Sequence, residues 1–138
     1  MTPTSRRLQQ QVEAALAGLG AGGPGSPARR LAVAVTALAA PERTLVALAV
    51  RAGAARLGEV AGGRTVELRV PPYAAVQLDD GSGGPTHTRG TPPAVVETDP
   101  ETFLALAAGT LTWAEAVADR RLRRSGVHVD LSARFPLA

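Results

Sequence analysis

The spacing of the apolar residues changes character at Gly62-Gly63, and that change constrains the fold more than any other feature. Upstream, apolar residues recur every three or four positions, which gives a helix one apolar face. From Thr65 onward Val66, Leu68 and Val70 alternate with Glu67 and Arg69, the signature of a strand with one wet face. Helices therefore come first and strands follow as a separate run, an α+β order.

Within the helical part, Leu8, Val12, Leu16 and Leu19 after Thr4-Ser5 predict a first helix of about fifteen residues. The Gly/Pro-rich run from Gly20 to Pro27 reads as a flexible linker, so residues 1–27 are expected to form a loosely attached extension and residues 28–138 the domain proper. A second helix is predicted over Ala28–Ala39 with Leu31, Val35 and Leu38 on one face, and Pro41 is expected to open a third. That third helix carries two stripes, Leu45/Leu48/Ala52/Ala55 and Val46/Val50/Leu57/Val60, a width that requires burial against both the sheet and another helix.

In the second half, Pro71-Pro72 ends the first strand and Tyr73–Leu78 reads as a second. Turn residues Asp79 to Pro85 lead into Thr86-His87-Thr88-Arg89, which predicts a hairpin with a loose loop. Ala94–Glu97 reads as a further strand. Thr98 with Glu101, and again Thr112 with Glu115, have capping-box spacing for two short helices separated by Gly109. Arg121–Val129 reads as a closing strand, interrupted at Ser125-Gly126.

Composition narrows the function. A chain of 138 residues fits one domain that buries roughly 68–70% of its unfolded surface. Aromatics are 3% of residues, so the core is Ala, Val and Leu. There is no cysteine, which excludes disulfides, Fe–S clusters and thiolate zinc sites. His87 and His128 stand on separate elements with no local carboxylate partner, so neither a metal centre nor a catalytic triad is expected, and no cofactor. All basic residues are arginine, and the net charge of +3 with no aromatic stacking platform argues against nucleic acid. Charged residues interrupt the longest apolar stretch, so no transmembrane segment is expected and the location is read as cytoplasmic.

Three stretches carry a family resemblance: Val66-Glu67-Leu68-Arg69-Val70-Pro71-Pro72-Tyr73-Ala74-Ala75-Val76-Gln77, then His87-Thr88-Arg89-Gly90-Thr91-Pro92-Pro93, then Val95 to Gly109 with Trp113. Together they resemble the sterol-carrier-protein family over roughly Pro41 to Leu137, and most of all its actinobacterial branch, a source that the arginine-, alanine- and glycine-rich composition fits. The resemblance implies a five-stranded, mostly antiparallel sheet with helices on one face and an apolar tunnel between the layers. Val66, Leu68, Val76, Leu78, Val95, Phe103, Leu106 and Trp113 would line that tunnel. The implied function is non-enzymatic binding of a small apolar or amphipathic, lipid-like ligand. Two alternatives stand beside it: a solid interaction or accessory module, acting as a homodimer or with another protein, and a relative of thiol-dependent maleylpyruvate isomerases.

His87 and Arg89, with neighbouring threonine hydroxyls, are the candidate polar end of such a site, because an arginine fork can hold a carboxylate or phosphate. The blander alternative pairs Arg89 with Glu97 or Asp79. The run Arg120-Arg121-Leu122-Arg123-Arg124 reads as a helix end and a charged edge strand.

Overall fold

The computed structural model describes residues 3–80, 94–125 and 129–138. Five helices and four strands occur among them: α1 (Pro3–Leu19), α2 (Pro27–Thr36), α3 (Arg43–Ala61), β1 (Gly62–Val70), β2 (Ala74–Leu78), β3 (Ala94–Thr98), α4 (Pro100–Ala108), α5 (Trp113–Ala118) and β4 (Leu122–Ser125). A 3-10 turn, Ser132–Arg134, lies in the tail.

The strand order is β2-β1-β3-β4. β1 pairs antiparallel with β2 across the Val70–Ala74 turn, parallel with β3 (Val66↔Ala94, Leu68↔Val96), and β3 pairs antiparallel with β4. This corrects the expected five-stranded, mostly antiparallel sheet: the described sheet has four strands and is mixed. The expected Thr86–Arg89 strand lies outside the described residues, and β3 takes the place beside β1 through a parallel pairing that local periodicity cannot reveal.

The helices cover one face of the sheet. Val66, Leu68, Val70, Leu78, Ala94 and Val96 are buried beneath them. The other face carries Glu67, Arg69, Gln77 and Glu97, where Glu67 accepts hydrogen bonds from Arg69 and Gln77. The hydrogen bond from Arg69 to Glu67, and the attraction of that carboxylate, hold the guanidinium above its ordinary pKa.

α3 bears out the two-stripe reading, packing against β1 and β2 on one side and α1, α2 and α4 on the other. Two stripe positions depart from that reading: Ala55 is exposed, and Val60 is 51% exposed. Gly58 marks the close approach of α3 to β2, since a Cβ there would lie 3.3 Å from Val76 Cγ2. α1 is seated on α2 and α3 and buries Val12 and Leu16.

The caps explain the helix ends. Ser26 accepts a hydrogen bond from the Arg29 N–H at the start of α2, and Thr112 and Glu115 form the expected reciprocal box on α5. At α4 the expectation is corrected: Asp99, not Thr98, is the N-cap, its carboxylate accepting from the Thr102 N–H at 2.8 Å. Thr98 stays on β3, and its buried hydroxyl donates to the Arg121 carbonyl at 2.8 Å.

The C-terminal tail stitches the layers together. Arg134 Nε donates to the Asp79 carbonyl, Leu137 N to the Ala107 carbonyl and Ser26 N to the Ala138 carbonyl. Leu131 and Leu137 are buried, while the half-buried Phe135 ring stacks on Trp113 and meets Phe103 edge-on.

Candidate functional site

Of the eight residues expected to line a tunnel, six are buried on the core side: Val66, Leu68, Leu78, Phe103, Leu106 and Trp113. Val76 is half-buried against α3. Val95 is the correction. It pairs with Glu67 and Ser125, so it lies on the polar face of the sheet rather than toward the helices. The alternation of a strand sends its neighbours Ala94 and Val96 inward and Val95 outward. His87, Arg89 and His128 lie outside the described residues.

The core side around Phe103 is filled. Phe103 has no exposed surface, its ring presses on Gly53, and Phe135 bridges it to Trp113 with ring centroids 6.1 and 6.4 Å away. None of the eight residues borders either of two cavities that lie elsewhere among the described residues.

The larger cavity is instead an open groove of about 860 Å³ between the end of α2 and α4. Two local events build it. α2 stops at Thr36, whose hydroxyl turns back to the Val33 carbonyl at 2.9 Å, and the chain then passes Leu38, Ala39 and Pro41 before α3 begins. Across from this connection, Asp99 caps α4, and Pro100 opens that helix. Val35 and Leu104 are buried against the core, while Leu38 is 39% exposed at the groove. Val46, Ala105 and Leu111 complete an apolar lining to which Thr36, Glu101 and Thr110 add polar groups.

A second cavity of about 470 Å³ shares Asp99 and Arg121 with this groove and adds Arg120, Arg123, Glu97, Thr98 and Pro71. Its polar groups are ordered by one relay. Arg121 Nε donates to Thr102 Oγ1 at 3.0 Å, and that hydroxyl donates to Asp99 Oδ2 at 2.8 Å. Thr102 is fully buried, so the relay fixes Arg121 against α4 at the junction of the two cavities. Glu97 lies 3.9 Å from the mostly exposed Arg123.

The groove brings together residues 35–46, residues 99–111 and Arg121. No local pattern links them, and the sequence reading assigned the arginine run only helix-end and edge-strand roles. The capping-box spacing at Thr98 and Glu101 was the nearest signal, since it located the start of α4. Arg120 and Arg121 follow the end of α5 and Arg123 and Arg124 lie on β4, so that structural placement holds, while Arg121 also acquires a site.

Among the described residues no cluster of histidine, aspartate and glutamate could hold a metal ion, and no helix is long and apolar enough to cross a membrane. No curated protein matches the chain. A family model described as bacterial SCP ortholog, the sterol-carrier-protein type, matches residues 42–137, from the N-cap of α3 to the last buried residue of the tail. That span is well over half of the chain, which therefore belongs to the bacterial SCP ortholog family.

Proposed function

We propose that this chain is a non-enzymatic, cytoplasmic carrier-type domain that binds one small apolar or amphipathic, lipid-like molecule in the groove between α2 and α4. The observation that carries this reading is the groove itself. Its volume of about 860 Å³ is well above the roughly 300 Å³ at the lower end of small-molecule pockets, and its exposed lining is divided almost evenly between apolar and polar groups, as an amphipathic molecule requires. Family membership supports a lipid-carrier-like module at a coarse level. The filled region around Phe103 and Trp113 favours this groove over a tunnel between sheet and helices.

A photoactivatable diazirine analogue of 1-dodecanol tests the reading with the full chain. Saturable cross-linking is expected on residues 35–46 and 99–111, and Leu38→Asp, at an exposed edge of the groove, should reduce it several-fold. Labelling confined to Phe103 and Trp113 would defeat the groove as the site. Absence of saturable binding would defeat the carrier reading altogether. In that event the same closed interior favours the second reading, a solid interaction module whose function lies in pairing with another protein or a second copy.

A further inference from the structure

Arg120 holds a backbone conformation that normally selects glycine. Its φ is +56°, and it closes α5 with paired bonds: Arg121 N donates to the Ala116 carbonyl at 2.9 Å and Arg120 N to the Val117 carbonyl at 3.1 Å. α4 ends with the same motif, Thr110 N to the Ala105 carbonyl and Gly109 N to the Leu106 carbonyl, but there Gly109 occupies the left-handed position with φ +89°. The chain thus uses glycine at one such stop and a long cationic side chain at the other.

Helix termination does not require that side chain. Among the described residues the Arg120 guanidinium forms no hydrogen bond or ion pair, and Arg120 is one of the residues that line the smaller cavity, with Arg121 and Arg123. Arg121 is held by its Nε through Thr102, so neither of its Nη groups has a partner among the described residues. Of the two carboxylates lining this cavity, Asp99 is engaged by the Thr102 N–H and hydroxyl, and Glu97 lies beside Arg123. Two arginines with guanidinium donors to spare therefore line the cavity, and one of them, Arg121, also lines the groove. Planar guanidinium donors match the oxygens of a carboxylate or phosphate.

We propose that the groove's ligand is an amphiphile with an anionic head, a carboxylate or a phosphate, held by Arg120 and Arg121 with Arg123 at the mouth, while its hydrocarbon chain lies along Leu38, Val46 and Leu111. This rests on the groove being the ligand site, and it adds the chemistry of the head.

The test titrates the full chain with dodecanoate, dodecyl phosphate, 1-dodecanol and inorganic phosphate by calorimetry. At least one of the two anionic dodecyl ligands should bind about tenfold or more tightly than 1-dodecanol, and their ranking separates carboxylate from phosphate recognition. Arg120→Gly should abolish most of that preference, leave 1-dodecanol binding unchanged and keep or raise the melting temperature, because glycine suits the left-handed position. Arg123→Ala, at a side chain 88% exposed, is a second variant neutral to folding and should weaken anion binding to a smaller degree. Equal affinity for 1-dodecanol and both anions, or an anion preference that survives both substitutions, overturns the anionic head and leaves the groove reading intact. If no dodecyl compound binds, the groove reading falls and this inference with it. Binding of inorganic phosphate without dodecyl phosphate overturns the amphiphile.

Discussion

The ring of Phe103 lies so close to Gly53 of α3 that a Cβ added there would sit 2.8 Å from Cε2 and 3.0 Å from Cζ. This contact seats α4 against α3 and closes the interior at that point. With the neighbouring aromatic contacts it fills the core side around Phe103, where the family resemblance implied a tunnel.

Gly53→Ala should therefore destabilise the protein, although a glycine-to-alanine change inside a helix normally gains up to about 1 kcal/mol. Overpacking against a fully buried ring costs about 1–3 kcal/mol, so a net loss of roughly 1 kcal/mol is expected. In the Phe103→Leu background the same substitution should cost less, giving a coupling of about 1 kcal/mol. Urea denaturation of the four proteins of this cycle checks it, and strict additivity would show that the ring yields freely.

Phe135→Ala should cost about 2–4 kcal/mol, because the ring is half-buried and contacts both Phe103 and Trp113. Trp113 is 8% exposed and is the only tryptophan, so its emission should shift to the red when Phe135 is removed. Unchanged emission would mean that the tail does not cover it.

Glu115 gives the α5 cap a pH signature. The Thr112 backbone N–H, and then the Thr112 side chain, hold this carboxyl below its ordinary pKa. A lowered folded-state value contributes stability that is complete above the unfolded pKa, near 4.5, and is lost as pH falls through the folded one. Stability of the wild-type protein should therefore decline more steeply than that of Glu115→Gln below about pH 4.5. Identical acid limbs in the two denaturation series would refute this.

Removal of residues 1–25 leaves the Ser26 cap of α2 in place but exposes the surface on which Val12 and Leu16 rest. Each buried side chain of this kind contributes about 1.5–3 kcal/mol, so the truncated chain should lose roughly 3–6 kcal/mol and still unfold in one cooperative transition. A broad, non-cooperative melt would show that α1 belongs to the folding unit instead of being appended to it.

The α+β order, the cap at Thr112, the start of α4 to within one residue, the glycine stop of α4 and the inward set Val66, Leu68 and Val70 were legible in the sequence. Each is determined by residues within a turn or a strand of one another, where dihedral preferences and the alternation of side chains act. The Asp99 cap shows the resolution of such reading: Thr98 and Asp99 are both good caps, and only the pairing of β3 with β4 commits Thr98 to the sheet. The facing of Val95 was beyond local reading, because a short apolar strand reveals its inward side only once its register against β1 is known.

The parallel β1–β3 pairing, the tail packed beside Phe103 and Trp113, and the groove joining Leu38 to Leu104 and Arg121 were decided by tertiary structure alone. They connect residues far apart in the chain, and their formation depends on which surfaces remain after each helix and strand has buried its apolar face. Periodicity determines which side of an element seeks cover. Packing decides what covers it, and so where space is left for a ligand.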